Sequence, residues 1–282
     1  MNNIRLKSML EEFYKEDIGD GDLSSESIFT EGEKGTFHLI AKEAGIFCGR
    51  KIIELAFPLL GDEAEVEVYA EDGDSVKEGE LIAKVTGGMR TLLQGERVVL
   101  NLIQRMSGIA TTVNRAVRKV EGSGVRICDT RKTTPGLRML EKYAVRTGGG
   151  YNHRFGLYDA VMLKDNHISF AGSITSAVKK ARKQCGHTVK IEVEIESENG
   201  LIEAVESGAD IIMFDNCTPQ EIKGWIHHVP SHIITEASGG ITEDNVREYA
   251  QSGVHYISLG YLTHSIKSLD ISARVLAEEG DL

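Results

Sequence analysis

The chain has 282 residues, 41% apolar and 27% charged, with a formal net charge of -11. That length suits one large domain or two smaller ones, either with a real core. The acidic balance argues against a nucleic-acid surface, which brings a basic patch or domain with it. No uncharged apolar run approaches the roughly 20 residues that span a bilayer; the longest candidate, IIELAFPLL from Ile52, carries Glu54 and Pro58. The opening MNNIRLKSMLEEFYKED has no apolar h-region, so no signal peptide is expected. Cys48, Cys128, Cys185 and Cys217 lack metal-like spacing and read as reduced thiols of a cytoplasmic protein.

Residues 1–17 read as an amphipathic helix on Ile4, Met9, Leu10 and Phe13. Gly19, Asp20, Gly21 and Asp22 break it, and Ser24 and Ser25 are expected to cap a short following turn. Residues 36–43 alternate Phe37, Leu39 and Ala41 as a strand, and residues 51–60 form a helix. Residues 66–69 and 81–85 are strands joined by EDGDSVKEGE, where Gly73 and Gly79 supply backbone freedom. That hairpin has the turn chemistry of a biotinyl or lipoyl carrier but lacks the modified-lysine context. Residues up to about Thr91 therefore form a mixed α+β unit. Residues 92–120 are one long helical pattern, with Gly108 a candidate kink or break.

A rhythm follows. VRICDT, DAVMLK, VKIEVEIE, ADIIMF, HIITEA and VHYISLG are short apolar runs. Helical patterns at residues 135–147, 172–184, 198–207, 219–228 and 242–252 separate them. Alternating strand and helix means parallel strands with crossover helices, as a closed or nearly closed β/α barrel with a further strand near the domain junction or, equally by composition, an open doubly wound sheet; the barrel is favoured. Residues 269–279 are expected to form a final helix on the N-terminal unit.

Polar residues collect at the strand ends: Asp129 to Lys132, Lys164 and Asp165, Glu194 and Glu196, Asp215 and Asn216, Glu236 and Ser238, Ser258 and Gly260. In a barrel that end carries the active site. In VKIEVEIE, Val189, Ile191, Val193 and Ile195 share one face and Lys190, Glu192, Glu194 and Glu196 the other; in a strand covered on both faces the acids point into the barrel mouth, and the alternative is an edge strand with a wet polar face. EASGG followed by ITEDNV reads as a glycine loop feeding a helix N-terminus, which favours an anion. Residues 129–167 gather Arg131, Lys132, Arg138, Lys142, Arg146, His153, Arg154, Lys164 and His167 around a Gly-Gly-Gly run. A cationic cluster in an acidic chain is a local device for a small polyanion.

DTRKTTPGLR (129–138), KYAVRTGGGYNHRFGLYDAVMLKDNH (142–167) and ERVVLNLIQRMSGIAT (96–111) carry a resemblance to the quinolinate phosphoribosyltransferases. It runs from EDIGDGDLSS (16–25) to GYLTHSIKSLDIS (260–272), nearly the whole chain. The resemblance implies an α/β protein, with an N-terminal α+β sandwich domain (1–108, joined by a C-terminal helix 268–282) and an incomplete, open β/α barrel (109–267). It implies phosphoribosyl transfer from phosphoribosyl pyrophosphate to quinolinate with decarboxylation. Arg97, Arg131, Lys132, Thr133, His153 and Arg154 would bind quinolinate. Lys132, Lys164, Glu194, Asp215, Glu236, Ser238, Gly239, Gly240, Ser258, Gly260 and His264 would bind phosphoribosyl pyrophosphate. Lys132, Lys164, Glu194 and Asp215 would be catalytic, and Glu194 and Asp215 would hold Mg²⁺ directly or through water. Arg97 would reach in from a neighbouring subunit, which implies a homodimer, or a hexamer as a trimer of dimers. The alternatives are a related phosphoribosyltransferase-like protein associated with molybdate transport and a catalytically inactive barrel scaffold. The complete KDNH and GGGYNHR segments favour the quinolinate enzyme.

Overall fold

Local capping and alternation set most of the elements. The computed structural model describes residues 1–61 and 64–275. In chain order these hold α1 (Asn3–Ile18), α2 (Leu23–Ile28), β1 (Lys34–Ala41), β2 (Gly45–Ile46), α3 (Arg50–Leu60), β3 (Glu65–Val68), β4 (Ser75–Val76), β5 (Leu81–Gly88) and α4 (Met89–Lys119). There follow β6 (Arg126–Cys128), α5 (Arg138–Thr147), β7 (Val161–Leu163), α6 (Asp165–Ala171), α7 (Ile174–Gln184), β8 (Ile191–Ile195), α8 (Glu198–Glu206) and β9 (Ile211–Asp215). The chain closes with α9 (Pro219–Trp225), β10 (Ile234–Ser238), α10 (Val246–Ala250), β11 (Tyr256–Ser258), α11 (Tyr261–His264) and β12 (Ile271–Arg274). Two units emerge, one of residues 1–112, 139–148 and 266–275, the other of residues 113–138 and 149–265.

The first unit is built on an antiparallel sheet in the order β12-β1-β5-β3. Phe37, Leu39 and Ala41 of β1 are buried on one face, as their alternation requires, and Phe37 meets Phe57 of α3 edge-on at 5.4 Å. Asp72 accepts the Gly49 and Arg50 amides at 2.6 and 3.0 Å, so a distant loop satisfies the open N-terminus of α3. The same carboxylate accepts the Tyr143 hydroxyl at 2.7 Å, and the fully buried Glu141 accepts Arg105 through two N–H groups at 2.9 and 2.7 Å.

Several expectations are corrected here. The apolar stripe of α1 is Leu6, Leu10 and Tyr14, while Ile4 is exposed. Spacing of four residues, not the mere density of apolar residues, fixes which face is buried. Asp22 caps α2 by accepting the Ser24 and Ser25 amides, each at 3.1 Å, and the two serines lie inside the helix. Ile271–Arg274 is a strand pairing with β1, not a helix. Leu269, Ile271, Ala273 and Val275 recur with period two, the strand period. Residues 276–282 of the expected helix lie outside the described residues.

In the second unit six parallel strands run in the order β6-β11-β10-β9-β8-β7. The strand that comes first in sequence thus pairs with the last, and the sheet curls into an open barrel. Among the described residues no seventh strand fills the gap between β6 and β7. Tyr151 alone bridges toward β6: its amide donates to Ile127 O at 2.8 Å and its carbonyl accepts the Asp129 amide at 3.0 Å. Ile191, Val193 and Ile195 are buried, as are Ile212, Phe214, Ala237 and Ile257. The alternate positions face the barrel interior. The expected 172–184 helix is α7, starting at Ile174, and the short α6 before it, capped at Gly172, is additional to the expected elements; the 242–252 helix shortens to α10 behind a turn.

α4 runs unbroken through Gly108, so that residue neither kinks nor splits it. Its role is close approach: a Cβ there would lie 2.3 Å from Lys267 O and 2.9 Å from Ser268 Cα. Alanine in a helix interior normally stabilises by about 0.5–1 kcal/mol over glycine. Here a backbone clash outweighs that gain, and Gly108→Ala is expected to destabilise by roughly 1–3 kcal/mol in urea unfolding. A variant as stable as the parent would remove this reading.

Candidate active site

A cavity of about 510 Å³ opens at the carboxyl ends of the barrel strands. Thr130, Arg131 and Lys132 enter it after β6, and His153 and Arg154 from the segment that bridges the β6–β7 gap. Met162 and Lys164 come from the end of β7, Glu194 from β8, Met213 and Asp215 from β9, and Ser238, Gly239 and Gly240 from β10. Ser258, Gly260 and His264 follow β11. Thirteen residues expected from sequence therefore line one chamber: Arg131, Lys132, His153, Arg154, Lys164, Glu194, Asp215, Ser238, Gly239, Gly240, Ser258, Gly260 and His264.

Three expected residues stand elsewhere. Thr133 does not line the chamber; its hydroxyl accepts Arg138 Nε at 2.9 Å. Arg97 belongs to the first unit, where its side chain is 61% exposed on α4. Glu236 is buried inside the barrel, lines a second cavity of about 410 Å³ beside Glu192, and is absent from the first. The alternation of β10 explains this: Ser238, two residues later, is the one that reaches the mouth. Met162, Met213, Ile241, Thr242 and Tyr261 also line the chamber. The two methionines form part of its apolar wall, and only their inward strand positions could have signalled them.

The cationic wall is held from behind. Asp129 is fully buried and accepts the His153 amide at 2.8 Å and Asn152 Nδ2 at 2.6 Å. Arg154 Nη1 donates to Ala160 O at 2.9 Å. The Nε atoms of Arg131 and Arg154 are buried and have no hydrogen-bond partner. Burial, and then the neighbouring Arg131 charge, push the Arg154 guanidinium below its ordinary pKa. Two neighbouring guanidinium groups lining one chamber favour an anion there.

Opposite stand the acids. Lys164 Nζ donates to Glu194 Oε1. Burial pushes the Glu194 carboxyl up, Lys164 opposes this, and the charges of Asp215 and Glu192 add to it. Asp215 Oδ2 accepts Asn216 Nδ2 at 3.0 Å. Two carboxylates lining one cavity are hard oxygen donors of the kind Mg²⁺ takes. Beside them Gly239 sits at φ 86°, and a Cβ on it would lie 2.3 Å from Asn216 Oδ1. Only glycine lets the 238–240 loop close over Asn216.

His153 lines the chamber yet turns its ring inward. Its Nδ1 accepts the Arg154 amide at 2.8 Å, and its Nε2 lies 3.1 Å from Glu192 Oε2 and 3.7 Å from Glu236 Oε2. Burial first, and then the charge of Glu192, raise the Glu236 carboxyl from 4.5 to about 7.

Comparison with known proteins agrees with this geometry. Residues 22–107 match the family described as quinolinate phosphoribosyl transferase, N-terminal domain, and residues 109–274 match its C-terminal domain. The chain is 56% identical to a probable nicotinate-nucleotide pyrophosphorylase [carboxylating] of Bacillus subtilis (strain 168), over 98% of this chain and 95% of that one. It is 38% identical to a quinolinate phosphoribosyltransferase [decarboxylating] of Nicotiana tabacum, over 97% and 83%. Among solved structures, NadC from Streptococcus pyogenes superposes with a TM-score of 0.93 at 39% identity, covering 97% of each chain. The nicotinate-nucleotide pyrophosphorylase from Francisella tularensis superposes with 0.93 at 35%, covering 98% of each.

The raised Glu236 carboxyl has a consequence for stability. The folded state holds this proton more tightly than the unfolded chain does, so its contribution is complete below pH 4.5 and is lost as pH rises to about 7. Against Glu236→Gln, the wild type is expected to lose on the order of 1–3 kcal/mol of unfolding free energy across that window, measured by urea titration at successive pH values. Parallel curves for the two proteins would show that Glu236 titrates normally.

Proposed function

The chain belongs to the quinolinate phosphoribosyltransferase family, and we infer that it transfers the phosphoribosyl group of phosphoribosyl pyrophosphate to quinolinate with loss of CO₂, giving nicotinate mononucleotide and pyrophosphate in NAD biosynthesis. One observation carries the assignment of the site: Arg131 and Arg154 converge on one chamber with buried Nε atoms that nothing in the described protein satisfies. Quinolinate is a pyridine dicarboxylate, and its two negative charges suit that pair.

In this reading Arg131 and Arg154 clamp the carboxylates, with Lys132 beside them. The 238–240 loop and the residues after β11, Gly260 and His264, cradle the 5-phosphate through backbone N–H groups and the imidazole. Glu194 and Asp215 hold the ribose hydroxyls and, directly or through water, Mg²⁺. Held there, Mg²⁺ would supply positive charge against the pyrophosphate oxygens. Lys164, held by Glu194, contacts phosphoribosyl pyrophosphate. The clamp turns the pyridine nitrogen toward ribose C1, the nitrogen–carbon bond forms, and the C1–oxygen bond to pyrophosphate breaks. The ring nitrogen, now positive, stabilises the carbanion left on the adjacent ring carbon when the carboxylate on that carbon departs as CO₂. A proton then takes the vacated ring carbon. The chain supplies no covalent nucleophile; orientation and fixed charge carry the rate.

The exposed Arg97 fits a site completed across a homodimer, with the arginine of one subunit serving the chamber of the other. A cytoplasmic setting is part of the same reading. No helix among the described residues is long and apolar enough to cross a membrane.

Arg131→Ala and Arg154→Ala are each expected to weaken quinolinate binding by roughly 2–4 kcal/mol while circular dichroism stays unchanged. The measurement is release of CO₂ and pyrophosphate against quinolinate concentration, and unchanged affinity in both variants would remove the clamp. Mixing inactive Arg97→Ala and Lys164→Ala subunits, with exchange, is expected to restore about a quarter of the sites, because half of the dimers become mixed and each of those regains one site. Mixtures as inactive as their components would argue against a shared site.

A further inference from the structure

The cluster behind the quinolinate subsite has no part in the scheme above. His153, Glu192 and Glu236 each offer an atom within 4.8 Å of the others, a spacing open to a metal ion. The imidazole chemistry speaks against a metal. A histidine that ligates a metal donates its other ring N–H to a carbonyl or carboxylate. Here that other nitrogen, Nδ1, faces a donor, the Arg154 amide, at 2.8 Å. Nδ1 therefore keeps its lone pair, and the proton of the neutral ring sits on Nε2. A doubly protonated ring is disfavoured too, because it would set two donors against each other at Nδ1.

Nε2 lies against Glu192, 3.3 Å from its Oε1 and 3.1 Å from its Oε2, with Glu236 Oε2 behind at 3.7 Å. Glu192 is 1% exposed and Glu236 4% exposed, and Glu236 Oε1 is buried with no hydrogen-bond partner. Strand alternation places Glu192 two residues below Glu194 on the same inward face of β8. One strand thus supplies an acid to the mouth and another to the floor.

We propose that Glu192, backed by Glu236, is a positioning residue for the quinolinate subsite: it fixes His153 as the Nε2–H tautomer, whose Nδ1 in turn anchors the Arg154 backbone and so aims its guanidinium into the chamber. This rests on the reading of Arg154 as a carboxylate ligand. It makes His153 a strut for the clamp, with both ring nitrogens engaged away from quinolinate. The cooperating carboxylates have one imidazole proton to share, and the raised Glu236 carboxyl agrees with that arrangement.

The test has two arms. Nitrogen-15 spectra of histidine-labelled protein, with His153 assigned by its loss in His153→Gln, should report a neutral ring protonated at Nε2. Glu192→Leu should abolish that signature and raise the quinolinate KM about tenfold with the phosphoribosyl pyrophosphate KM unchanged, while Glu192→Gln, which keeps an acceptor oxygen, should recover most of the loss. An Nδ1–H tautomer in the wild type, a His153 resonance shifted by stoichiometric Zn²⁺, or a folded Glu192→Leu protein with normal quinolinate KM would overturn the proposal. If Arg154→Ala leaves the quinolinate KM unchanged, the clamp assignment fails instead, and the spectra still decide the tautomer.

Discussion

Two like charges held side by side organise the catalytic unit. Arg131 and Arg154 leave buried Nε atoms without an acceptor, which is costly for charged groups. The surrounding structure reads as the means of holding them there. Asp129 fixes residues 152 and 153 from the end of β6, Ala160 O fixes one arm of Arg154, and His153 fixes its backbone. Those partners are a buried carboxylate, a backbone carbonyl and an imidazole, none of which takes the Nε atoms of the two arginines. The acids Glu194 and Asp215 stand at other strand ends and line the same chamber.

The barrel makes this arrangement natural. Parallel strands point their carboxyl ends the same way, and each contributes one or two polar residues to a common mouth. The segment from Gly149 to Ala160, which fills the gap between β6 and β7 with only a single bridge, supplies the rest. An additional strand at that place would present alternating side chains; an irregular segment instead places two successive residues, His153 and Arg154, where both are needed. The openness of the barrel is part of the site.

Much of this was legible in the sequence, and the exceptions have physical causes. The six apolar runs of the barrel, the inward face of Glu192 and Glu194, and the collection of charges at strand ends follow from periods of two and from parallel topology. Glu236 counts among the strand-end residues in the sequence, but it lies two residues before Ser238 on the same face and is buried below the mouth. The final strand was read as a helix because apolar density was weighed above its period. Gly108 was read as a break because close backbone approach leaves no trace in a single sequence. Arg97 is invisible as a site residue to spacing arguments, since the chamber it is proposed to serve belongs to another copy of the chain. The pairing of His153 with Glu192 joins residues 39 positions apart, and no local pattern announces it.

The order of the strands has one more consequence, for synthesis of the chain. Arg126 of β6 meets Tyr256 of β11 across 130 residues, and His38 of β1 pairs with Arg274 of β12. Each sheet has a neighbour missing until nearly the last of the polypeptide has left the ribosome. Such distant pairings slow folding, and a nascent chain stalled short of β11 carries two exposed sheet edges, open to chaperones or to other nascent chains.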